Sequence, residues 1–251
     1  MRDLVERMHA ADRAAWEAVG RALPAIEAVI EVVEARMRAG GRLFYIGAGT
    51  SGRLGVVDAS ECPPTFGVEP GRVVGVIAGG DGAIRTAVEG AEDDPQGAWR
   101  DLQAYTPIPA TDTVVGIAAS GRTPYVVGGL ADARAHGLHT VALVCNPGSQ
   151  AAAAAHQAIE VVTGPEFVTG STRLNAGTAT KHVLNMLTTV TFIRLGHVRG
   201  SQMVDLKPTN VKLHERAVRM IREWSGVDEM EAIRLLDAHG SVRAALEAAK
   251  D

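Results

Sequence analysis

The sequence predicts an α/β fold, a doubly wound, five-stranded parallel sheet in an α/β/α sandwich, with a small C-terminal helical appendage. Three observations predict it. Five short runs rich in β-branched residues are apolar on both faces, which is typical of strands buried in a parallel sheet. Helical stretches separate the later runs, as in repeated strand–helix units. From about Ser171 the sequence reads as helix only.

The composition indicates a globular protein and excludes several other classes. Of 251 residues, 46% are hydrophobic and 22% are charged, which supplies enough apolar material for a core. The formal net charge of −4 argues against a nucleic-acid-binding protein, which needs a basic surplus. The sequence contains no run of about 18 apolar residues, so no membrane span is predicted. The charged start of the sequence lacks the apolar segment of a signal peptide. Cys62 and Cys145 stand far apart, so we expect free thiols and a cytoplasmic protein.

The first predicted element is a helix over residues 1–39, in which apolar residues between Leu23 and Val33 recur at helical spacing. Pro24 is expected near a helix start, and Gly40 with Gly41 would end the helix. The predicted strands are 42–46, 72–78, 113–119, 139–145 and 158–163, and the helices between them are 83–93, 124–137 and 148–157. The later helices are predicted at 172–196, 210–226, 228–240 and 241–251.

We expect three parts in the chain. Residues 1–40 form an N-terminal helical segment, residues 41–200 form the sheet domain, and residues 201–251 form a C-terminal helical region. Ligands of open parallel sheets bind outside the carboxyl ends of the strands. The loops that follow the strands are therefore the places to look for function.

Two such loops are rich in glycine and hydroxyl groups. The first contains Gly49, Thr50, Ser51 and Gly52 within a GxGxxG pattern, which fits either a dinucleotide fingerprint or a phosphate cradle at a helix N-terminus. The second loop consists of Ser120, Gly121, Arg122 and Thr123. A dinucleotide site normally has one such loop and an acid about 20 residues further on. The pair of loops therefore favours a compact phosphate monoester.

Carboxylates near these loops are candidate acids and bases. Glu61 precedes Cys62 and a proline pair, Pro63 and Pro64, which we expect to hold Glu61 in a stiff loop. A second group of acids stands at the end of the helix predicted at 83–93, and the spacing leaves open which of them faces the site. Its members are Glu89, Glu92, Asp93 and Asp94. Two carboxylates in different environments can serve as general acid and general base. The eight histidines show no metal-binding spacing, so no metal site is predicted.

Several segments of the sequence closely resemble the N-acetylmuramic acid 6-phosphate etherases, in register from about Gly41 to Arg222. They are YIGAGTSGRLGVVDASECPPTFG, AVEGAEDD, GIAASGRTPYV, CNPGS, TGSTRLNAGTATKHVLNML and MVDLKPTNVKLHERAVRM. The resemblance implies the sugar isomerase (SIS) fold, which the glucokinase regulatory protein also carries. It further implies a cofactor-free lyase that converts N-acetylmuramic acid 6-phosphate to N-acetylglucosamine 6-phosphate and D-lactate, in the recycling of cell-wall amino sugars. A cytoplasmic homodimer with sites near the subunit interface is also implied.

The resemblance assigns roles to particular residues. The family's proton donor falls on Glu61 and its second catalytic glutamate on Glu92, while the two hydroxyl loops would bind the 6-phosphate. Lys181 matches a lysine of the family, whereas Asn175 stands where the family usually has lysine. The family's segment before the long first helix is largely missing here, and helices 228–249 resemble a shortened form of its helical tail. Two alternatives are a non-catalytic module that binds sugar phosphates and a dinucleotide-binding protein.

Overall fold

The computed structural model describes residues 1–206, 208 and 211–249. The contacts between Cα atoms divide the chain into two compact units. The first contains Met1–Ser60 and Gly71–Thr191, and the second contains Glu61–Pro70 and Phe192–Asp251. The division differs from the three parts expected from the sequence, because a short stretch after Ser60 belongs with the C-terminal residues.

Five strands of the described chain form one parallel sheet, in the order β2–β1–β3–β4–β5. The strands are β1 (Leu43–Gly47), β2 (Val73–Ile77), β3 (Thr113–Ala118), β4 (His139–Val144) and β5 (Gln157–Glu160). The predicted doubly wound α/β fold is therefore confirmed. Each predicted strand overlaps an observed one, with ends that agree within three residues, because buried parallel strands are almost continuously apolar and stand out in the sequence.

The helices of the first unit surround this sheet. They are α1 (Arg2–Arg38), α2 (Gly49–Phe66, whose last turns belong to the second unit), α3 (Gly82–Arg85), α4 (Gly97–Leu102), α5 (Pro124–Ala135), α6 (Gln150–Ala154) and α7 (Asn175–Arg194). On one face, Phe44 and Ile46 of β1 share a core with α4, α5 and α6. On the other face α2 lies so close that a Cβ atom at Gly55 would be 2.9 Å from Tyr45 Cβ.

The second unit contains a short antiparallel hairpin and three helices. The hairpin pairs β6 (Val198–Arg199) with β7 (Gln202–Met203), and the helices are α8 (Val211–Ser225), α9 (Glu229–His239) and α10 (Val242–Ala248). Leu206, Ile221, Leu236 and Val242 are central to its hydrophobic core. The expectation of helix alone after Ser171 is wrong at the hairpin, where Gly200 adopts a positive φ that favours a turn. The predicted helical positions 210, 250 and 251, and motif residues 207 and 209, lie outside the described residues.

Three further expectations are wrong, two of them at proline. Pro24 lies inside the unbroken helix α1 rather than near a helix start. Pro63 and Pro64 lie inside α2, so Glu61 is helical rather than held in a stiff loop. The prolines remove two helix hydrogen bonds near the end of α2, and the chain stays helical until Gly67, at φ +68°. The helix predicted at 83–93 is broken, because α3 ends at Arg85, Thr86 is extended at φ −128° and ψ 130°, and Gly90 then turns left-handed at φ +73°.

Candidate active site

The two hydroxyl-rich loops meet at the point where the strand order of the sheet reverses. β1 lies between β2 and β3, with Gly47 in register with both Ile77 and Ile117. In open α/β sheets this reversal opens a crevice at the carboxyl ends of the strands. The first loop leaves β1 there and the second leaves the neighbouring β3. The topology thus brings together two segments that are about 70 residues apart in the sequence.

A cavity of about 560 Å³ opens between these loops. The hydroxyl-bearing residues Thr50 and Ser51 line it from the first loop, and Ser120 and Thr123 line it from the second. Gly49 of the first loop also lines it, as do the charged residues Arg122, Glu92 and Asp93 and, from a further loop, Gly170 and Thr172. The cavity therefore joins hydroxyl donors, one guanidinium group and two carboxylates.

The geometry of the first loop depends on its glycines. Gly49 adopts φ +53°, which favours glycine. Gly52 is buried, and a Cβ atom there would lie 2.6 Å from both the carbonyl oxygen of Gly47 and Cγ1 of Ile77. Gly52 thus lets α2 begin directly against the strand, and it does not itself line the cavity. The start of α2 presents its free backbone N–H groups toward the loop.

The second loop also turns on a glycine. Gly121 adopts φ +66°, and its backbone N–H donates to Ala118 O at 2.9 Å. Like Gly52, Gly121 is buried and has a structural place behind the cavity. Thr123 precedes α5 without using its hydroxyl to cap that helix. The exposed Arg122 guanidinium makes no ion pair or hydrogen bond within the described part of the chain, so its charge is available to an anion.

The acidic run predicted at a helix end is divided by the structure. Glu92 and Asp93 lie on a 3₁₀ turn, Ala91–Asp93, that packs against α5, and both line the cavity. Asp94 instead accepts from Arg100 at 2.5 Å and from the N–H of Gln96 at 2.9 Å. These hydrogen bonds, that of Arg100 first, hold the pKa of Asp94 below its ordinary value. Glu92 and Asp93 are therefore the acids that this loop offers to the cavity.

The remaining predicted residues are not among those that line this cavity. Lys181 is exposed on α7. Glu61 is exposed on α2 and belongs to the second unit, so its part in the site stays a prediction. Asn175 is buried at the start of α7, where its side-chain amide donates to Pro165 O at 3.3 Å. The N–H groups of Asn175 and Ala176 donate to the Glu166 carboxylate, which occupies this helix end.

A buried carboxyl group that the sequence did not single out lies on α2. Asp58 accepts from the hydroxyl of Tyr45 and the side-chain amide of Asn185, both at 3.1 Å, and from the Thr188 hydroxyl at 3.3 Å. Burial raises the pKa of Asp58, while these hydrogen bonds and the charge of Lys181 oppose the rise. The sequence signal was an acid on the otherwise apolar face of a helix. Gly170 and Thr172 were also missed, although TGST is rich in hydroxyl groups.

Comparison with known proteins decides the family. An N-acetylmuramic acid 6-phosphate etherase of Christiangramia forsetii is 55% identical over 99% of this chain and 90% of its own length. One of Streptomyces coelicolor is 54% identical over 97% of this chain and 78% of its own length. The chain belongs to the N-acetylmuramic acid 6-phosphate etherase family. Residues 25–134 also match the glucokinase regulatory protein N-terminal SIS domain.

The etherase family assignment agrees with the fold. The phosphoheptose isomerase of Neisseria gonorrhoeae superposes with a TM-score of 0.54, covering 78% of this chain and 98% of its own, at 19% identity. At that identity the likeness shows the SIS fold alone, which confirms the predicted fold of this etherase family member. Among its described residues, no three His, Cys, Asp or Glu side chains are grouped to hold a metal ion. In the same residues, no helix combines the length and apolarity needed to cross a membrane.

Proposed function

We propose that this chain cleaves the D-lactyl ether of N-acetylmuramic acid 6-phosphate, giving N-acetylglucosamine 6-phosphate and D-lactate. The observation that carries the proposal is the single cavity that joins both hydroxyl loops to Glu92. A sugar phosphate needs a phosphate cradle and a reacting group held at a fixed distance from it. The names of the relatives from Christiangramia forsetii and Streptomyces coelicolor support the same substrate.

The two loops anchor the 6-phosphate. Thr50, Ser51 and Ser120 offer hydroxyl groups, and the start of α2 offers backbone N–H groups and the positive end of the helix dipole. Arg122 adds a positive charge that suits the anionic substrate. Binding of the phosphate, which does not react, can thus hold the other end of the sugar at Glu92.

The reaction is an elimination followed by addition of water. The sugar ring opens to the aldehyde, and Glu92 takes the proton from C2. The electron pair forms the C2–C3 double bond while the C3–O bond to lactate breaks, and the leaving oxygen takes a proton from Glu61. Water then adds to the unsaturated aldehyde, with its oxygen at C3 and a proton at C2, and the ring closes. One water is consumed for each lactate released.

The residue types suit these steps. The aldehyde makes the C2 proton acidic enough for a carboxylate base, whereas a lactate alkoxide leaves poorly without an acid. Glu92 is exposed on its 3₁₀ turn. The role of Glu61 rests on the family motif in which it stands.

The proposal includes a cytoplasmic homodimer. The family resemblance supports it, and Cys62 and Cys145, both buried and neither in a disulfide within the described residues, are in keeping with a reducing compartment. Light scattering of the purified protein tests the dimer, since the proposal expects twice the mass of one chain.

The test of the activity is lactate release from N-acetylmuramic acid 6-phosphate by the purified protein, with EDTA present. Stoichiometric release of lactate and N-acetylglucosamine 6-phosphate is the expected result. No release, together with a melting temperature raised by the sugar phosphate, would overturn the proposal and favour the non-catalytic sugar-phosphate-binding module.

A further inference from the structure

The position of the Glu92 carboxylate depends on the backbone that carries it. Its side chain is exposed, and within the described residues it makes no hydrogen bond or ion pair. The backbone around Glu92 is a single 3₁₀ turn, Ala91–Asp93, preceded by the left-handed Gly90. The contacts that hold this turn in place therefore set the distance from the carboxylate to the phosphate loops.

The segment that follows the turn packs closely against α5. A Cβ atom at Gly128 would lie 1.8 Å from Pro95 O, and one at Gly97 would lie 2.9 Å from the ring of Tyr125. Tyr125 is buried in the first turn of α5, and its hydroxyl donates to the Asp101 carboxylate on α4 at 2.8 Å. Because α5 begins directly after the second hydroxyl loop, this packing fixes the segment relative to that loop.

Asp94 joins the 3₁₀ turn to this packed segment. The backbone of Asp94 is extended, at φ −85° and ψ 105°, so the chain bends there. Its Oδ1 accepts from the backbone N–H of Gln96 at 2.9 Å, and its carbonyl oxygen accepts from the N–H of Gly97 at 3.2 Å. Its Oδ2 accepts from the Arg100 guanidinium. The Asp94 side chain thus closes the bend that leads from Glu92 to the packed residues.

The two side-chain hydrogen bonds of Asp94 differ in what they hold. The side chains of Arg100 and Asp94 are 63% and 41% exposed, and exposed ion pairs contribute little to stability. The bond from the Gln96 N–H instead links the side chain to the main chain two residues on, which fixes the bend as a backbone turn would. The bend therefore needs an oxygen acceptor at position 94 more than it needs a charge.

We propose that Asp94 is a positioning residue, whose side chain holds Glu92 at the distance from the second hydroxyl loop that removal of the C2 proton requires. This role rests on the proposed function, in which Glu92 takes that proton. Asp94 is not among the residues that line the cavity, so it acts through Glu92 and not on the substrate. Its loss should lower kcat and leave phosphate binding intact, because both hydroxyl loops keep their geometry.

Three substitutions separate the acceptor from the charge. Asp94→Ala removes both side-chain bonds and should lower kcat for lactate release by at least about tenfold, toward the roughly 100-fold that a 1 Å misplacement can cost. KM, and the affinity for N-acetylglucosamine 6-phosphate measured by calorimetry, should stay at wild-type values. Asp94→Asn keeps an oxygen for the Gln96 N–H, and Arg100→Gln removes only the ion pair, so both should retain most of the wild-type kcat.

The matched control is Asp228→Ala. Asp228 also accepts from a backbone N–H, that of Glu231 at 2.9 Å, but it caps α9 in the second unit. Its loss should lower the melting temperature and leave kcat and KM unchanged. Amide hydrogen exchange over residues 91–97 adds a readout that needs no substrate. Exchange there should accelerate in Asp94→Ala but not in Asp94→Asn or Asp228→Ala.

Three kinetic results would each overturn the positioning role: a wild-type kcat in Asp94→Ala, a raised KM with kcat unchanged, or an equal fall of kcat in Asp94→Asn. A wild-type protein that releases no lactate would instead refute the proposed reaction. Faster amide exchange in Asp94→Ala alone would then still support Asp94 as the residue that holds the turn, and unchanged exchange would overturn that as well.

Discussion

Replacing Glu92 with glutamine tests the central step of the proposed reaction. Glu92 is exposed on a 3₁₀ turn, and within the described residues its side chain makes no hydrogen bond or ion pair. Glutamine has nearly the same shape and lacks only the basic oxygen. The substitution therefore removes a charge from the cavity without removing a packing contact, and the free energy of unfolding should change by less than about 0.5 kcal/mol.

The expected loss of activity follows from the role of the residue. A positioned general base contributes roughly 10²–10⁴-fold to the rate. Glu92→Gln should lower kcat/KM for lactate release by that factor, which corresponds to about 3–5 kcal/mol of transition-state stabilisation. Exchange of the C2 proton with solvent should fall by the same factor, since both reactions need the same proton removed.

The assay follows lactate release and deuterium uptake at C2 in D₂O, with thermal unfolding as the check on folding. Glu89→Gln is the matched control, because Glu89 is also exposed and belongs to the same acidic run but does not line the cavity that contains both hydroxyl loops. Its effect on C2 exchange should be small. Glu92→Gln with near wild-type exchange would refute the assignment, and loss of exchange in Glu89→Gln alone would transfer the role of base to Glu89.

Three further predictions concern other residues. Glu61→Gln should reduce lactate release more than C2 exchange in D₂O, because an acid acts on the leaving oxygen; equal losses would contradict that role. Arg122→Gln should raise KM about tenfold or more, the usual value of a hydrogen bond to a charged group, and an unchanged KM would remove Arg122 from the binding site. The free energy of unfolding of Asp58→Asn, relative to that of the wild type, should increase when the pH is raised from 4 to 7. Burial raises the pKa of Asp58 above its ordinary value of 3.8, so the wild type loses stability as the pH rises through the folded-state pKa. Urea unfolding of both proteins at pH 4 and pH 7 measures the difference in their free energies of unfolding. A difference that shifts in favour of the wild type as the pH rises would refute the reasoning.

The sheet could be predicted from the sequence because each strand is a short, apolar, β-branched run. Errors arose where proline and glycine were interpreted by local rules alone. The rule that proline breaks helices fails at Pro24 and at Pro63 with Pro64, where the helix continues. Conversely, the helix predicted at 83–93 ends at Arg85, where Thr86 is already extended, so the chain leaves the helix before it reaches the left-handed Gly90. Tertiary packing decides such cases, and the local pattern does not contain it.

The site was predictable in part for a topological reason. Two loops that follow strands of one parallel sheet must lie at the same edge, which the strand pattern of the sequence predicts. That Thr50 lies near Ser120 depends in addition on β1 and β3 being neighbours, which only the structure shows. The choice of Glu92 over Glu89 depended on the family resemblance, since spacing did not distinguish them.

Helix α2 links the position of the first hydroxyl loop, at its start, to the buried Asp58 further along the same helix. Its glycines allow a close approach to the sheet, since a Cβ atom at Gly52 would meet Gly47 and one at Gly55 would meet Tyr45. Each glycine in a helix costs about 0.5–1 kcal/mol relative to alanine, so this approach needs compensating contacts. Asp58 supplies them further along the same helix, through hydrogen bonds from Tyr45 on β1 and from Asn185 and Thr188 on α7. Because these bonds fix the rotation of α2 about its axis, they also fix where the loop at its first turn presents its donors. The buried carboxyl group of Asp58 thus has an unfavourable desolvation free energy, but its hydrogen bonds orient the phosphate loop at the start of α2.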